Sequence, residues 1–562
     1  MKKLFIAAMA LATIVSCSKD GIEGPATPTT GSEIAKLAVS LQTTTTRAYT
    51  NGEDAESEVN SIDFYLFADG AAYNGADGDN RVSVNMETLD DWTLNADGNN
   101  ITKTSDIILV IAKEKNTVPT HIVAVINATA DYKGRSLAEL QRAVAEDLQT
   151  ELGFVMSNSV YDSETEAGVV VATEIKAENI FVDTESSDEA GDAYTGKVEV
   201  EPIQIYVERV AAKVQVSVSS DAVADNGFIP VKIKNEDGST TVSTDTFVKV
   251  LGWEITNAAS TSYLLKSYDA EKPYFSDLNV PTAYRSYWAT TYEQEVAHNL
   301  TFDDIIEPDA ALMLNKANYY HENTLTPVNA EGWYNDVTST GDATQAPQLI
   351  VAAQLVNAKG EAKEFGTWYG HTYEDVDELM AAMINNAAKQ VFVVESTDDP
   401  ETDDVEPTVY RSIGVDDVDF YQVDDATSYY ADGWNGDYRH EVRVKAIDGE
   451  KYFDAAGNTL EVAQVTEILK KTEPAMIWTS GYTYYYTLIK HYMAGNTQLY
   501  GMVRNHVYDV NITGVTGFGT PVYEPSKIIV PEPPKEQDGF SLAAEIKVLS
   551  WAVVNNDVEL GN

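Results

Sequence analysis

Along much of this chain, apolar and polar residues alternate with a period of two. Leu37, Val39 and Leu41 alternate with Ala38, Ser40 and Gln42, the pattern of a strand with one buried face. Ile62 to Phe67 follows, and then two near-continuous aliphatic runs, Ile107 to Ala112 and Ile122 to Ile126. Runs of that kind suit strands buried on both faces. Asn51-Gly52, Asn74-Gly75 and Asp97-Gly98 punctuate them as turns. Further strand runs are Lys197 to Val216, Phe247 to Ile255, Gln348 to Leu355, Gln390 to Val394, Tyr482 to Ile489 and Val507 to Ile512. Two helices interrupt the series. Ser136 can cap a helix whose Leu137, Leu140, Ala143, Val144 and Leu148 share one face, and a second is predicted over Val376 to Lys389. Many short strands separated by Gly and Pro turns predict a mainly β chain of β-sandwich architecture with a few short helices.

The first residues read as an address. Met1-Lys2-Lys3 is basic, Leu4 to Val15 is apolar but too short to span a bilayer, and Ile14-Val15-Ser16-Cys17 looks like a lipobox. Residues 1–16 are therefore expected to be a signal peptide, with lipid attached at Cys17, the chain's one cysteine. Ser18 to Glu33 is rich in Gly, Pro, Thr and Ser and reads as a flexible tether. The length of 562 residues suggests two or three domains. A boundary is expected near residue 206, inside the long strand-rich stretch. Residues 398–437 hold a dense acidic run and are expected to form an elaborated loop region. Pro525, Pro531, Pro533 and Pro534 mark a stiff linker before an apolar terminus.

Charge and composition narrow the function. With 38 Lys+Arg against 89 Asp+Glu, the net charge of −51 argues against nucleic acid as a partner. A single cysteine allows no internal disulfide, and no two of the seven histidines have the spacing of a helical zinc pair. Nucleophile-elbow and phosphate-loop motifs are absent from the sequence. Asp77-Gly78-Asp79-Asn80-Arg81 departs from a calcium loop at its arginine, and pairs such as Asp398-Asp399, Asp403-Asp404 and Asp416-Asp417 read as solvated surface. The reading is a chain that is not an enzyme and needs no cofactor or metal. The Tyr482, Tyr484, Tyr485, Tyr486 run has two readings, a sugar-stacking platform or core and cross-strand pairs, and the second is favoured. Arg504 and His506 are expected to pack and hydrogen-bond at a strand end.

Several segments together resemble the fimbrilins of Bacteroidales, the type V pilin family. They are the lipobox at Cys17, Thr46-Arg47-Ala48 behind the alternating strand, Glu208-Arg209-Val210-Ala211-Ala212-Lys213-Val214, Arg285-Ser286-Tyr287-Trp288, Tyr319-Tyr320-His321-Glu322-Asn323-Thr324, Gly501-Met502-Val503-Arg504-Asn505-His506-Val507-Tyr508, and the closing run Val548 to Leu560. Length and layout are most similar to the major subunit of the short fimbriae. The resemblance implies a two-domain, transthyretin-like β-sandwich pilin, with domains over 48–206 and 207–530 and a linker and donor strand over 531–562. It implies an outer-membrane lipoprotein precursor, residues 17–47 of which are removed by an arginine-specific surface protease between Arg47 and Ala48. The propeptide strand Leu37, Val39, Leu41 would leave a groove. A donor strand holding Ile546, Val548, Leu549, Trp551, Val553, Val558 and Leu560 would fill the groove of a neighbouring copy. The implied partners are other copies in a filament, anchor and tip fimbrilins, and surface receptors. The rivals are an anchor or tip subunit, or a monomeric carbohydrate-binding lipoprotein.

Overall fold

The structure is a computed structural model. It describes residues 34–550 apart from a series of segments, the longest being 45–55, 182–192, 268–288, 325–346, 397–407, 424–440 and 530–540. The chain is mainly β, built of several sheets with few short helices.

The first sheet uses β1 (Ile34–Thr44), β2 (Ser61–Ala68), β3 (Ile101–Ala112), β4 (His121–Ile126), β5 (Met156–Asn158) and β6 (Ile203–Arg209). Its central order is β3-β1-β6-β5-β4-β2. The aliphatic runs are buried on both faces, as their composition predicts. Ile62, Phe64, Leu66, Ile122, Ala124 and Ile126 enter one core, while Tyr65, Phe67, Val123 and Val125 enter another on the opposite side. The helix after Ser136, α1 (Leu137–Leu140), is shorter than its periodicity predicts. Its capping box is present: Glu139 N–H donates to Ser136 Oγ, and Ser136 N–H donates to the Glu139 carboxylate at 2.8 Å. The helix stops because Val144-Ala145 pairs instead with Ser262-Tyr263. Ala143 and Ala145 still reach the same core as Leu140, so tertiary pairing overrides local propensity without exposing the apolar residues.

The second sheet uses β7 (Ala211–Val218), β8 (Ile229–Lys234), β9 (Thr240–Thr256), β10 (Ala317–His321) and β11 (Gln348–Val356). An insertion follows, made of β12 (Phe365–Trp368), β13 (His371–Tyr373), α2 (Val376–Ile384), β14 (Val418–Gln422), β15 (Glu441–Ala446), α3 (Val462–Leu469) and β16 (Ala475–Trp478). The chain then returns as β17 (Tyr482–Leu488), β18 (His506–Thr516) and β19 (Ser541–Ser550). The sheet runs β10-β7-β18-β8-β9-β11-β17, with β19 also on β18. Trp253, Leu349, Val351, Tyr485, Tyr508 and Val510 share its main core. The insertion has a core of its own, including Leu379, Met383, Val442, Val444, Val465 and Ile477. Within the stretch expected to be loop, Val409–Ser412 and Val418–Gln422 are strands. Among the described residues, no helix is long and apolar enough to cross a membrane.

The chain crosses from one sheet to the other at a single residue. β6 ends at Arg209, β7 starts at Ala211, and Val210 between them is fully buried.

Candidate functional site

Two strands and the junction between the sheets form the candidate site. β1 lies inside its sheet. It pairs antiparallel with β3 from Ile34↔Ala112 to Thr44↔Ile101, and parallel with β6 from Val39↔Ile203 to Thr43↔Val207. Leu37 is fully buried in the core that also holds Ile107, Leu109, Ile203 and Ile205. Val39 stands opposite Ile107 and Ile203, and Leu41 opposite Ser105 and Ile205. Cys17, Arg47 and Ala48 lie outside the described residues.

Beyond the expected cut, the chain is held at Glu56. Its carboxylate takes Lys213 Nζ at 2.5 Å and the Tyr319 hydroxyl, and its carbonyl accepts from Arg209 Nε at 2.7 Å. These three partners come from β7, β10 and β6, so Glu56 ties the chain to both sheets.

β19 pairs antiparallel with its own chain's β18, from Ser541↔Thr516 to Ser550↔His506. Ile546 stands opposite Val510, Val548 opposite Tyr508 and Leu549 opposite Val507. β18 is its one strand partner among the described residues. Trp551, Val553, Val558 and Leu560 lie outside the described residues.

The junction itself is charged and buried. Lys266 Nζ sits 3.0 Å from Glu208 Oε2, and Arg504 Nη2 sits 2.5 Å from Glu322 Oε1, with all four side chains fully buried. Arg504 also donates to the carbonyls of Leu264, at 3.0 Å, and Tyr263. Arg209 Nη1 donates to Asn505 Oδ1 at 3.4 Å. Burial raises the pKa of Glu208, while Lys266 and Arg504 pull it down. Burial lowers Arg209 to about 10. Three histidines converge here and are held neutral by burial: His321 is lowered to about 4, His506 to about 3, and His491 falls well below its ordinary value. His491 Nδ1 lies 2.6 Å from the Tyr508 hydroxyl, and His506 Nδ1 lies 2.7 Å from the Arg504 carbonyl.

Three of the segments that carry the fimbrilin resemblance, 208–214, 319–324 and 501–508, meet at this junction. Asn323 and Met502 exchange backbone bonds at 2.9 and 2.7 Å, and Asn505 N–H donates to the Ala211 carbonyl at 2.7 Å. Gly501 has φ +136°, and a Cβ there would lie 2.7 Å from the Asn323 carbonyl oxygen, so only glycine lets the strands approach. Arg504 and His506 do fix a strand end by packing and hydrogen bonding, as the sequence predicts. Their acidic partners are what sequence reasoning missed. Glu322 is 182 residues from Arg504, and only its place in the Tyr-Tyr-His-Glu-Asn-Thr segment marked it.

The arrangement supplies rigidity. Tyr484 and Tyr485 are core residues on opposite faces of β17. Asp417 accepts from Arg411 and from Gly414 N–H. Asp77, Asp398, Asp399, Asp403 and Asp404 lie outside the described residues. Among the described residues, no group of His, Cys, Asp and Glu side chains is placed to hold a metal ion.

Residues 476–557, from β16 through the closing strand, match the family described as "Major fimbrial subunit protein type IV, Fimbrillin, C-terminal". Over these residues the resemblance to the fimbrilins is borne out. No curated protein matches the chain. Among solved structures, it is similar to a fimbrilin (FimA) of Porphyromonas gingivalis at 13% identity and a TM-score of 0.36, covering 92% of this chain and 98% of that one. It is also similar to the tip fimbrial protein of Porphyromonas gingivalis (10% identity, TM-score 0.28, 91% and 99% covered). A third is a fimbrial assembly protein of Parabacteroides distasonis (8% identity, TM-score 0.26, 58% and 87% covered). These three likenesses are distant.

Proposed function

We propose that the chain is a structural subunit of a cell-surface fimbrium, polymerised by strand exchange and not an enzyme. It is exported with lipid on Cys17 and cut after Arg47 by an arginine-specific protease. Mature domains over 48–206 and 207–530 then assemble with other copies, and with anchor and tip subunits, through the tail at 531–562.

The observation that carries this reading is the seat of β1. An N-terminal strand placed between two others, with Leu37 in the core, leaves an open slot between β3 and β6 when it departs. Such a slot exposes an apolar groove and two unpaired ladders, which template another strand. Glu56 supports the same reading, because it secures the mature N-terminus to both sheets after the cut. β19 is the natural donor, and donation requires it to leave β18. Seating about six large apolar side chains contributes roughly 9–18 kcal/mol, against an association cost of about 4–15 kcal/mol. A head-to-tail contact of this kind does not close on itself, so it propagates as a filament.

The intact mass of protein sheared from the cell surface tests the reading. A mass of Ala48–Asn562 without lipid is expected. A mass of lipidated Cys17–Asn562 overturns it in favour of an anchor subunit or a monomeric binding lipoprotein.

A further inference from the structure

Among the described residues, seven other than glycine have positive φ. Six of them are Asp69, Asn127, Asn257, Asn315, Ser480 and Asn505, short polar residues whose side chains suit that conformation. The seventh is Tyr369, at φ 48°. It forms with Gly370, at φ 75°, the two-residue turn joining β12 and β13, where Trp368 pairs with His371. A turn with both central residues left-handed favours Asn-Gly, and a bulky first residue is strained there. Tyr369 is also 68% exposed, more than any other large apolar side chain among the described residues. An aromatic ring is thus held, at a cost in local stability, where it packs least. Strain of that kind points to a role at the surface.

The neighbourhood says which role. Trp368 meets Tyr369 edge-on, with ring centroids 4.7 Å apart. Its indole N–H donates to the Glu473 carbonyl at 3.0 Å, which fixes the plane of the larger ring. His371 and Thr372 are exposed beside the turn and offer donors and acceptors. The chain's net charge of −51 repels anions. The geometry points to an uncharged hexopyranose as ligand, its apolar C–H face stacked on Tyr369 and its hydroxyls turned to the polar residues beside the turn. This site is independent of strand exchange and lies on the insertion between β11 and β17.

Saturation-transfer NMR on the purified soluble chain tests it, with methyl β-galactopyranoside and methyl β-glucopyranoside as probes and an arginine-rich peptide in parallel. Transfer to the ring C–H protons of at least one sugar is expected. Tyr369→Phe should keep it. Tyr369→Asn should weaken binding at least tenfold while leaving the melting temperature unchanged or higher, since Asn relaxes the turn. The proposal is overturned if neither sugar shows transfer, if Tyr369→Asn binds as well as the native chain, or if only the arginine-rich peptide binds.

Discussion

Placing a carboxylate at Leu37 asks whether the N-terminal strand is held by its core face. Leu37 is fully buried between residues of β3 and β6. Losing a buried leucine costs roughly 1.5–3 kcal/mol of transfer free energy. An aspartate in the same place must take up a proton to enter the core. At pH 7 that means moving against about 3 pKa units at ~1.36 kcal/mol each, or roughly 4 kcal/mol. The two contributions together reach about 6 kcal/mol, a factor of ~10⁴ in the ratio of seated to released strand. Whole domains are stable by only ~5–15 kcal/mol, so the substitution should release the strand without any cut. We expect uncut Leu37→Asp protein to lose its first-sheet protection in hydrogen exchange and to form ladders of polymer on a gel. The native uncut chain should stay monomeric. If uncut Leu37→Asp protein is as protected and as monomeric as the native chain, β1 is not the element that blocks assembly.

Two further outcomes follow from the junction. Arg504→Met leaves Glu322 buried without its partner and should destabilise by about 3–5 kcal/mol in denaturant unfolding, whereas adding Glu322→Leu should recover most of that loss; equal losses in the single and double variants would refute the pairing argument. His321 is lowered to about 4 from an ordinary 6.5, so its folded form prefers to stay neutral. Its contribution is present above pH 6.5 and is lost as pH falls toward 4, amounting to roughly 3 kcal/mol at ~1.36 kcal/mol per unit. Thermal melts between pH 7.5 and 4.5 should therefore fall less steeply for His321→Gln, and an unchanged slope would show that His321 does not carry the effect.

The strands were legible because their apolar residues follow the pleat. Ile122 to Ile126 shows both faces buried, and its side chains divide between two cores. The Ser136 cap was legible for the same local reason. The length of its helix was not, because Val144 has its partner at Tyr263, far along the chain. The separate core of the insertion was hidden because α2, β15 and α3 bury short apolar runs that look like any others. The charged junction was hidden more deeply. Glu208, Lys266, Glu322 and Arg504 are ordinary surface residue types, and nothing local shows that they meet in the interior. Their segments stood out as family-like, but what those segments do became plain only in three dimensions.

The single-residue crossing at Val210 has a mechanical consequence. β1 runs parallel to β6, and β7 runs parallel to β18. A strand seated in place of β1 and pulled along its length would load both flanking ladders in shear, so their bonds would have to fail together and not one by one. From β6 the tension passes covalently through Val210 into β7, and from there across the ladder to β18. The insertion from β12 to β16 hangs outside that line. It can change shape or sequence, the exposed Tyr369 turn included, without weakening a cable built from such subunits.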